Sequence, residues 1–261
     1  MRGRVISIAI GLAVIVAASA LTLYHPAKLN AGTGYCYLPV RPVAGNPGAR
    51  TFGTKVGSTY HNGVDYNSFT GNSVRSVGKG IVYKCYPSAG SFGAIDCNPK
   101  KNHNYNGPVV FVKYKLATGA PVYLIYGHSA NSWVDNSKNA GNDKKFTYSC
   151  SYKITIKEGQ SVGTGESFLK TSPFYIYNST AEHLHLSVFL PNKKKNSMYY
   201  ENPPSSEWGY SPSSHTVKGT GSKGKDNMYI EYPQGKYINP EDFFTKSQYA
   251  LDSSIDDLAK L

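Results

Sequence analysis

Apolar residues in this chain fall in short runs, and the runs are broken by Gly, Asn, Ser and Pro. Residues 80–85 (Gly-Ile-Val-Tyr-Lys-Cys), 109–114 (Val-Val-Phe-Val-Lys-Tyr), 121–126 (Pro-Val-Tyr-Leu-Ile-Tyr) and 184–190 (Leu-His-Leu-Ser-Val-Phe-Leu) are the clearest strands. β-branched and aromatic side chains suit a pleated, half-buried surface, and turn residues bound each run. Helical periodicity is convincing only over 249–261. The distribution predicts a mostly β domain built on an antiparallel, sandwich-like sheet. Three polar stretches interrupt it, at about 86–107, 129–152 and 191–236, and read as long loop insertions.

Residues 1–24 follow another pattern. Arg2 and Arg4 precede an almost wholly apolar stretch, 5–24, and Ala18-Ser19-Ala20 fits a small-x-small cleavage site. The segment reads as a signal peptide; left uncleaved, it is long enough to serve as an N-terminal membrane anchor. Either way, the rest of the chain is expected outside the cytoplasm, in the periplasm, the cell envelope, a virion or the medium. Residues 25–49 read as a Pro/Gly-rich tether, 50–246 as the folded domain and 247–261 as a helical C-terminal tail. A chain of 261 residues is long enough to bury one sizeable core.

Charge narrows the partners. Lys plus Arg number 28 and Asp plus Glu 16, giving +12 with histidine neutral. A balance that basic favours an anionic partner. No Lys/Arg-rich recognition helix and no RNP-type aromatic motif is present, so nucleic acid is not expected. The four cysteines, Cys36, Cys85, Cys97 and Cys150, suit an oxidising compartment. They form no CxxC pair and so are poor zinc ligands, while three pairings are open to them. Cys85 and Cys97 bracket a short loop and suggest one local disulfide, with Cys36 and Cys150 as the other.

The histidines carry the candidate chemistry. Of seven, four lie in three short strings: His61-Asn62-Gly63-Val64-Asp65, Tyr126-Gly127-His128 and His183-Leu184-His185. His25, His103 and His215 stand alone in polar or juxtamembrane sequence. On a strand, residues two apart share a face, so His183, His185, Ser187 and Phe189 would lie on one side and Leu184, Leu186, Val188 and Leu190 on the other. The aliphatic side belongs against the core; the histidine side must face a cleft or another layer. His61 and Asp65 bracket a turn on which an imidazole and a carboxylate can converge. With one imidazole of the HxH pair they make two nitrogen ligands and one oxygen ligand. Three protein ligands and an open fourth position is the arrangement of catalytic zinc. The remaining histidines would then serve proton transfer and oxyanion stabilisation.

These strings, in this order, resemble those of the lysostaphin/LytM-type zinc metallopeptidases, which cut peptide cross-links in bacterial cell walls. The family's Hx3D, strand-terminal histidine and HxH read here as His61 to Asp65, His128, and His183 to His185. Arg50-Thr51-Phe52-Gly53, the stretch 63–82, Glu158-Gly159-Gln160-Ser161-Val162-Gly163 and Ile238-Asn239-Pro240-Glu241-Asp242-Phe243 are similar to flanking family segments. The resemblance covers roughly 50–190 and 237–244. It implies a zinc peptidase domain over 50–246, one Zn2+ held by His61, Asp65 and His185, and His128 and His183 as the catalytic pair. It leaves open which of the pair is the base. The chain departs from the family in the length of 191–236 and in the extra residues of 129–152.

The expected function is an exported zinc endopeptidase that hydrolyses peptidoglycan cross-links, with peptidoglycan as the anionic partner and residues 5–24 as an optional membrane anchor. One alternative is a catalytically silent or autoinhibited wall-binding or scaffold module of the same fold. Another is a zinc hydrolase of other proteins. Oligomeric state and the bond cleaved are not written in the sequence.

Overall fold

The computed structural model describes residues 39, 51–56, 59–86, 92–96, 108–135, 149–172, 183–194, 198–199, 216–218 and 228–252. Its centre is a nine-stranded sheet. Across it run Ser161–Val162, Gly80–Tyr86, Val109–Lys115, Pro121–Gly127, His183–Pro191, Gly235–Ile238, Tyr229–Tyr232 and Thr216–Lys218, in that spatial order, with Val64–Asn67 as the ninth strand. Every pairing in this sheet is antiparallel. The four strands expected from the sequence are its four contiguous central members. The protein is mostly β, as the distribution of short apolar runs predicts.

The His183–Pro191 strand is the organiser. One edge pairs with Pro121–Gly127, setting His185 opposite Gly127. The other edge is shared: His183 to Leu186 pair with Val64–Asn67, and Val188 to Pro191 pair with Gly235–Ile238. A nine-residue strand thus holds two shorter ones end to end along a single edge.

Both faces of the sheet are buried, and alternation sorts the side chains between them. Val110, Val112, Val122, Leu124, Tyr126, Leu184, Leu186 and Val188 point to one core. Against it packs a second, three-stranded antiparallel layer of Ser73–Arg75, Ser167–Thr171 and Ser129–Ala130. The two layers meet through Val74, Ala130, Phe168 and Leu169, and the Phe168 ring stands edge-on to Tyr126 with centroids 5.0 Å apart. Phe243 and Phe244 of the helix Pro240–Thr245 extend the same core. That helix is capped by Asn239, whose side chain accepts from Glu241 N, with Pro240 at its first position. Phe111, Tyr123, Ile125 and Phe189 point the other way and form a second cluster with Phe52 and with Ile230, Tyr232 and Tyr237 of neighbouring strands in the same sheet.

The stretches expected to be loops are partly paired. Phe92–Asp96, from 86–107, and the strands Ser132–Asp135 and Ser149–Lys153, from 129–152, form a separate three-stranded antiparallel sheet. The end of 191–236 supplies the hairpin that extends the central sheet, with Ile230 fully buried. Neither segment shows a strong apolar run, and each strand exists because a partner distant in sequence takes up its backbone hydrogen bonds. At the C-terminal end, Ser247–Tyr249 is a 3-10 turn and Leu251 bridges to Leu116. The helix expected over 249–261 otherwise lies outside the described residues, as do the segment 1–24 and almost all of the tether. Among the described residues no helix is long and apolar enough to cross a membrane.

The expected Cys85–Cys97 disulfide is not formed: Cys85 is a free, buried thiol. It points into the main core among Val82, Val110 and Ile156 and donates weakly to Ile156 O at 3.8 Å. Cys36, Cys97 and the side chain of Cys150 lie outside the described residues. Burial, with a smaller contribution from Glu158, pushes the Cys85 thiol up to about 12, so the nucleophilic thiolate is scarcely populated. A thiol-labelling reagent should therefore modify Cys85 only in denaturant, as read by peptide mass mapping. Labelling of Cys85 in the native protein, or its recovery in a disulfide, would contradict this packing.

Candidate metal centre

Register brings the first two groups together. Asp65 is the direct cross-strand partner of His185, so their Cβ atoms stand about 5 Å apart on the same face. His61 arrives from the turn that leads into Val64–Asn67. That turn can approach because residue 63 is glycine. A Cβ there would press on the Leu186 carbonyl oxygen and lie 2.7 Å from Cε1 and Nε2 of His185.

The result is a compact triangle. His61 Nε2 lies 3.1 Å from Asp65 Oδ1, His185 Nδ1 lies 2.9 Å from the same oxygen, and the two nitrogens are 3.0 Å apart. All three residues are at most 4 % exposed. His61, Asp65 and His185 are thus close enough to hold a metal ion. Three ligands around a tetrahedral zinc with bonds of about 2.0–2.1 Å stand about 3.3 Å from one another, close to the spacing seen here.

The protonation pattern fits a cation as well. His61 Nδ1 faces Thr51 O at 3.2 Å; a carbonyl oxygen only accepts, so Nδ1 carries the proton and Nε2 turns a lone pair inward. Burial pushes His185 down to about 4, against the opposing pull of Asp65, so its ring is neutral near pH 7, the form that binds metals. Burial also resists charge on Asp65. The facing groups of His185 and His61, with the field of His61 and His183, outweigh it and hold the carboxyl well below its usual range. A carboxylate and two imidazoles converging among buried side chains are a cation site by chemistry.

The other two histidines stand alongside. His183 Nε2 is 3.6 Å from Asp65 Oδ1. The His128 and His183 rings meet edge-on with centroids 4.7 Å apart, and His128 is 6.0 Å from the His185 ring. His128 has φ 59°, the one left-handed non-glycine among the described residues. It sits where the chain leaves the central sheet at Gly127 and enters the smaller layer at Ser129. Its carbonyl accepts from both Ser172 N, at 2.9 Å, and Ser172 Oγ, at 2.8 Å, which together hold a conformation that costs roughly 1–2 kcal/mol. All five residues singled out in the sequence are therefore in one cluster. His25, His103 and His215 lie outside the described residues.

Four contributors escaped sequence reasoning: Thr51 behind His61, Ser187 and Asn62 behind His185, and Ser172 behind His128. Ser187 carried a signal, since it lies on the histidine face of an otherwise apolar strand. Thr51 acts through its backbone and left none.

No protein-family model and no curated protein matches the chain. Among solved structures, it is similar to Helicobacter pylori Csd3, with 19% identity and a TM-score of 0.31, over 62% of this chain and 30% of that one. The chain therefore spans less than a third of the length of that structure. What the centre can do is set by its own geometry.

Two outcomes follow from that geometry. Gly63→Ala should force the turn or the His185 ring aside, lowering stability by about 1–3 kcal/mol and weakening metal uptake, read by thermal melting and by zinc titration. The second concerns pH in the metal-free protein. His185 is neutral in both folded and unfolded chains at pH 7; below its ordinary value of 6.5 the unfolded chain binds the proton first. Stability should then fall between pH 6.5 and about 4, by on the order of 3 kcal/mol from this group. His185→Gln should flatten that part of the melting profile, and an unchanged profile would refute the assignment.

Proposed function

We propose that this protein is an exported zinc endopeptidase that hydrolyses peptide cross-links of bacterial peptidoglycan. The observation that carries the reading is the triangle of His61, Asp65 and His185 with two further histidines beside it. A structural zinc site would be closed by four protein ligands. Here three groups converge, and His128 and His183 stand at the side from which a substrate would be processed. Zinc is favoured over harder cations because two of the three ligands are imidazole nitrogens.

Bound zinc would supply Lewis acidity, polarising a scissile carbonyl and acidifying a water molecule. The chain's own residues do the rest. Asp65 would contribute the negative charge that anchors the cation, and His185 and His61 would complete the set with one nitrogen each. His183, 3.6 Å from Asp65, and His128, against the His183 ring, are placed to take a proton from the attacking water and to steady the oxyanion of the tetrahedral intermediate. Both histidines are themselves buried, at 5 % exposure each, which limits competing water and strengthens each polar contact.

Peptidoglycan as substrate draws support from the resemblance of the three histidine strings to the lysostaphin/LytM type and from the net charge of +12, which suits an anionic wall polymer. The apolar residues 5–24 after Arg2 and Arg4 support export, with retention as an anchor if the segment is uncleaved.

The decisive test incubates the full chain with purified sacculi and identifies released muropeptides by mass spectrometry. New peptide ends are expected, and they should vanish with a zinc chelator or in the His61→Ala variant. The variant should lose at least about a hundred-fold in activity, the scale on which single catalytic contributions are measured. Absence of release from sacculi of several cross-link chemistries, with zinc bound, would sink the peptidase reading in favour of a wall-binding module.

A further inference from the structure

Two buried polar side chains sit behind His185, on the Nε2 edge of its ring. Asn62 is 0 % exposed and Ser187 1 %. Ser187 Oγ lies 2.8 Å from His185 Nε2 and donates to Asn62 Oδ1 at 3.1 Å. Ser187 is there because it lies two residues beyond His185 on the same strand face. Asn62 is there because the turn at Gly63 carries it against that strand.

We propose that Ser187 and Asn62 are positioning residues of the metal centre, which together fix the ring of His185 with its proton on Nε2 and its Nδ1 lone pair aimed between His61 and Asp65. The inference rests on the metal reading of the site. Its logic is a count of protons. A hydroxyl has one proton, and that of Ser187 is engaged by Asn62 Oδ1, so toward His185 the oxygen accepts. Nε2 must then donate, and a neutral imidazole with its N–H on Nε2 is bare at Nδ1.

The two ligand histidines are thus set by different devices. His61 faces the backbone carbonyl of Thr51, which accepts and has no alternative. His185 faces a hydroxyl, which can reverse. Asn62 removes the ambiguity by fixing which way the Ser187 proton points. Without Asn62 the hydroxyl is free to donate to Nε2, and the imidazole proton moves to Nδ1, the position a cation must occupy.

The test reads two quantities on the full chain. One is the tautomer of His185 in the zinc-loaded protein, where a cation would lie between Nδ1 and the Asp65 oxygen 2.9 Å away, from imidazole nitrogen chemical shifts. The other is the zinc dissociation constant, from competition with a chromogenic chelator. The wild type should show Nε2–H at His185. Ser187→Ala and Asn62→Ala should weaken zinc by about 10–100-fold, the usual effect of losing an outer partner of a metal ligand, and shift the ring signal toward Nδ1–H. Ser187→Thr, which keeps the hydroxyl, should restore both readouts toward wild type, as a purely packing role would not.

Nδ1–H at His185 in the wild type would overturn the proposal, and that result needs no variant to fold. Alanine variants that bind zinc as the wild type does would overturn it too. A wild-type chain that takes up no zinc would bring down the metal reading on which the proposal rests. Loss of peptidoglycan cleavage with normal zinc uptake moves neither readout, so the two ideas fail separately.

Discussion

The centre depends on one cross-strand register, in which His185 lies between Asp65 on one neighbour and Gly127 on the other. A strand's side chains alternate strictly, so a slip of one residue would turn His183, His185 and Ser187 into the main core and the leucines out of it. That alternative is heavily penalised because Leu184, Leu186 and Val188 are fully buried. The apolar face of the strand therefore sets the aim of the polar face. Gly127 completes the arrangement, since a Cβ there would stand 3.1 Å from His185 Cβ.

The same packing creates the electrostatic character of the site. The histidine face is continuous with an apolar layer of Phe189, Ile125 and Val64. Water is scarce there, which keeps His185 neutral and makes Asp65 dependent on its neighbours for charge. An anionic oxygen and imidazole nitrogens gathered in such surroundings are complementary to a small cation and to little else. Affinity for metal and the integrity of the local fold are in this sense one property.

Much of this was readable from residue order. Short apolar runs bounded by turn residues identified the four central strands, and alternation around His183 and His185 separated a ligand face from a core face. Contacts between segments distant in the sequence were not readable. Phe92–Asp96 is a strand only because Ser149–Lys153 lies beside it, and the hairpin ending 191–236 only because His183–Pro191 has spare edge to offer. Cys85 looked like half of a disulfide by its spacing to Cys97, whereas its place on an inward-facing position of Gly80–Tyr86 decides its state. Asn62 and Ser172 act through hydrogen bonds across the fold, and no local pattern encodes those.

His128 occupies the corner where the chain passes from the large sheet to the small one, pinned by a single serine. The three metal-facing side chains, by contrast, all belong to the large sheet or the turn feeding it. The centre is therefore mechanically divided. Sliding the small layer over the large one would re-aim one histidine while leaving the triangle of ligands in place. The fold separates the grip on the cation from the alignment of a fourth imidazole, as a vice is separate from the tool brought to the piece it holds.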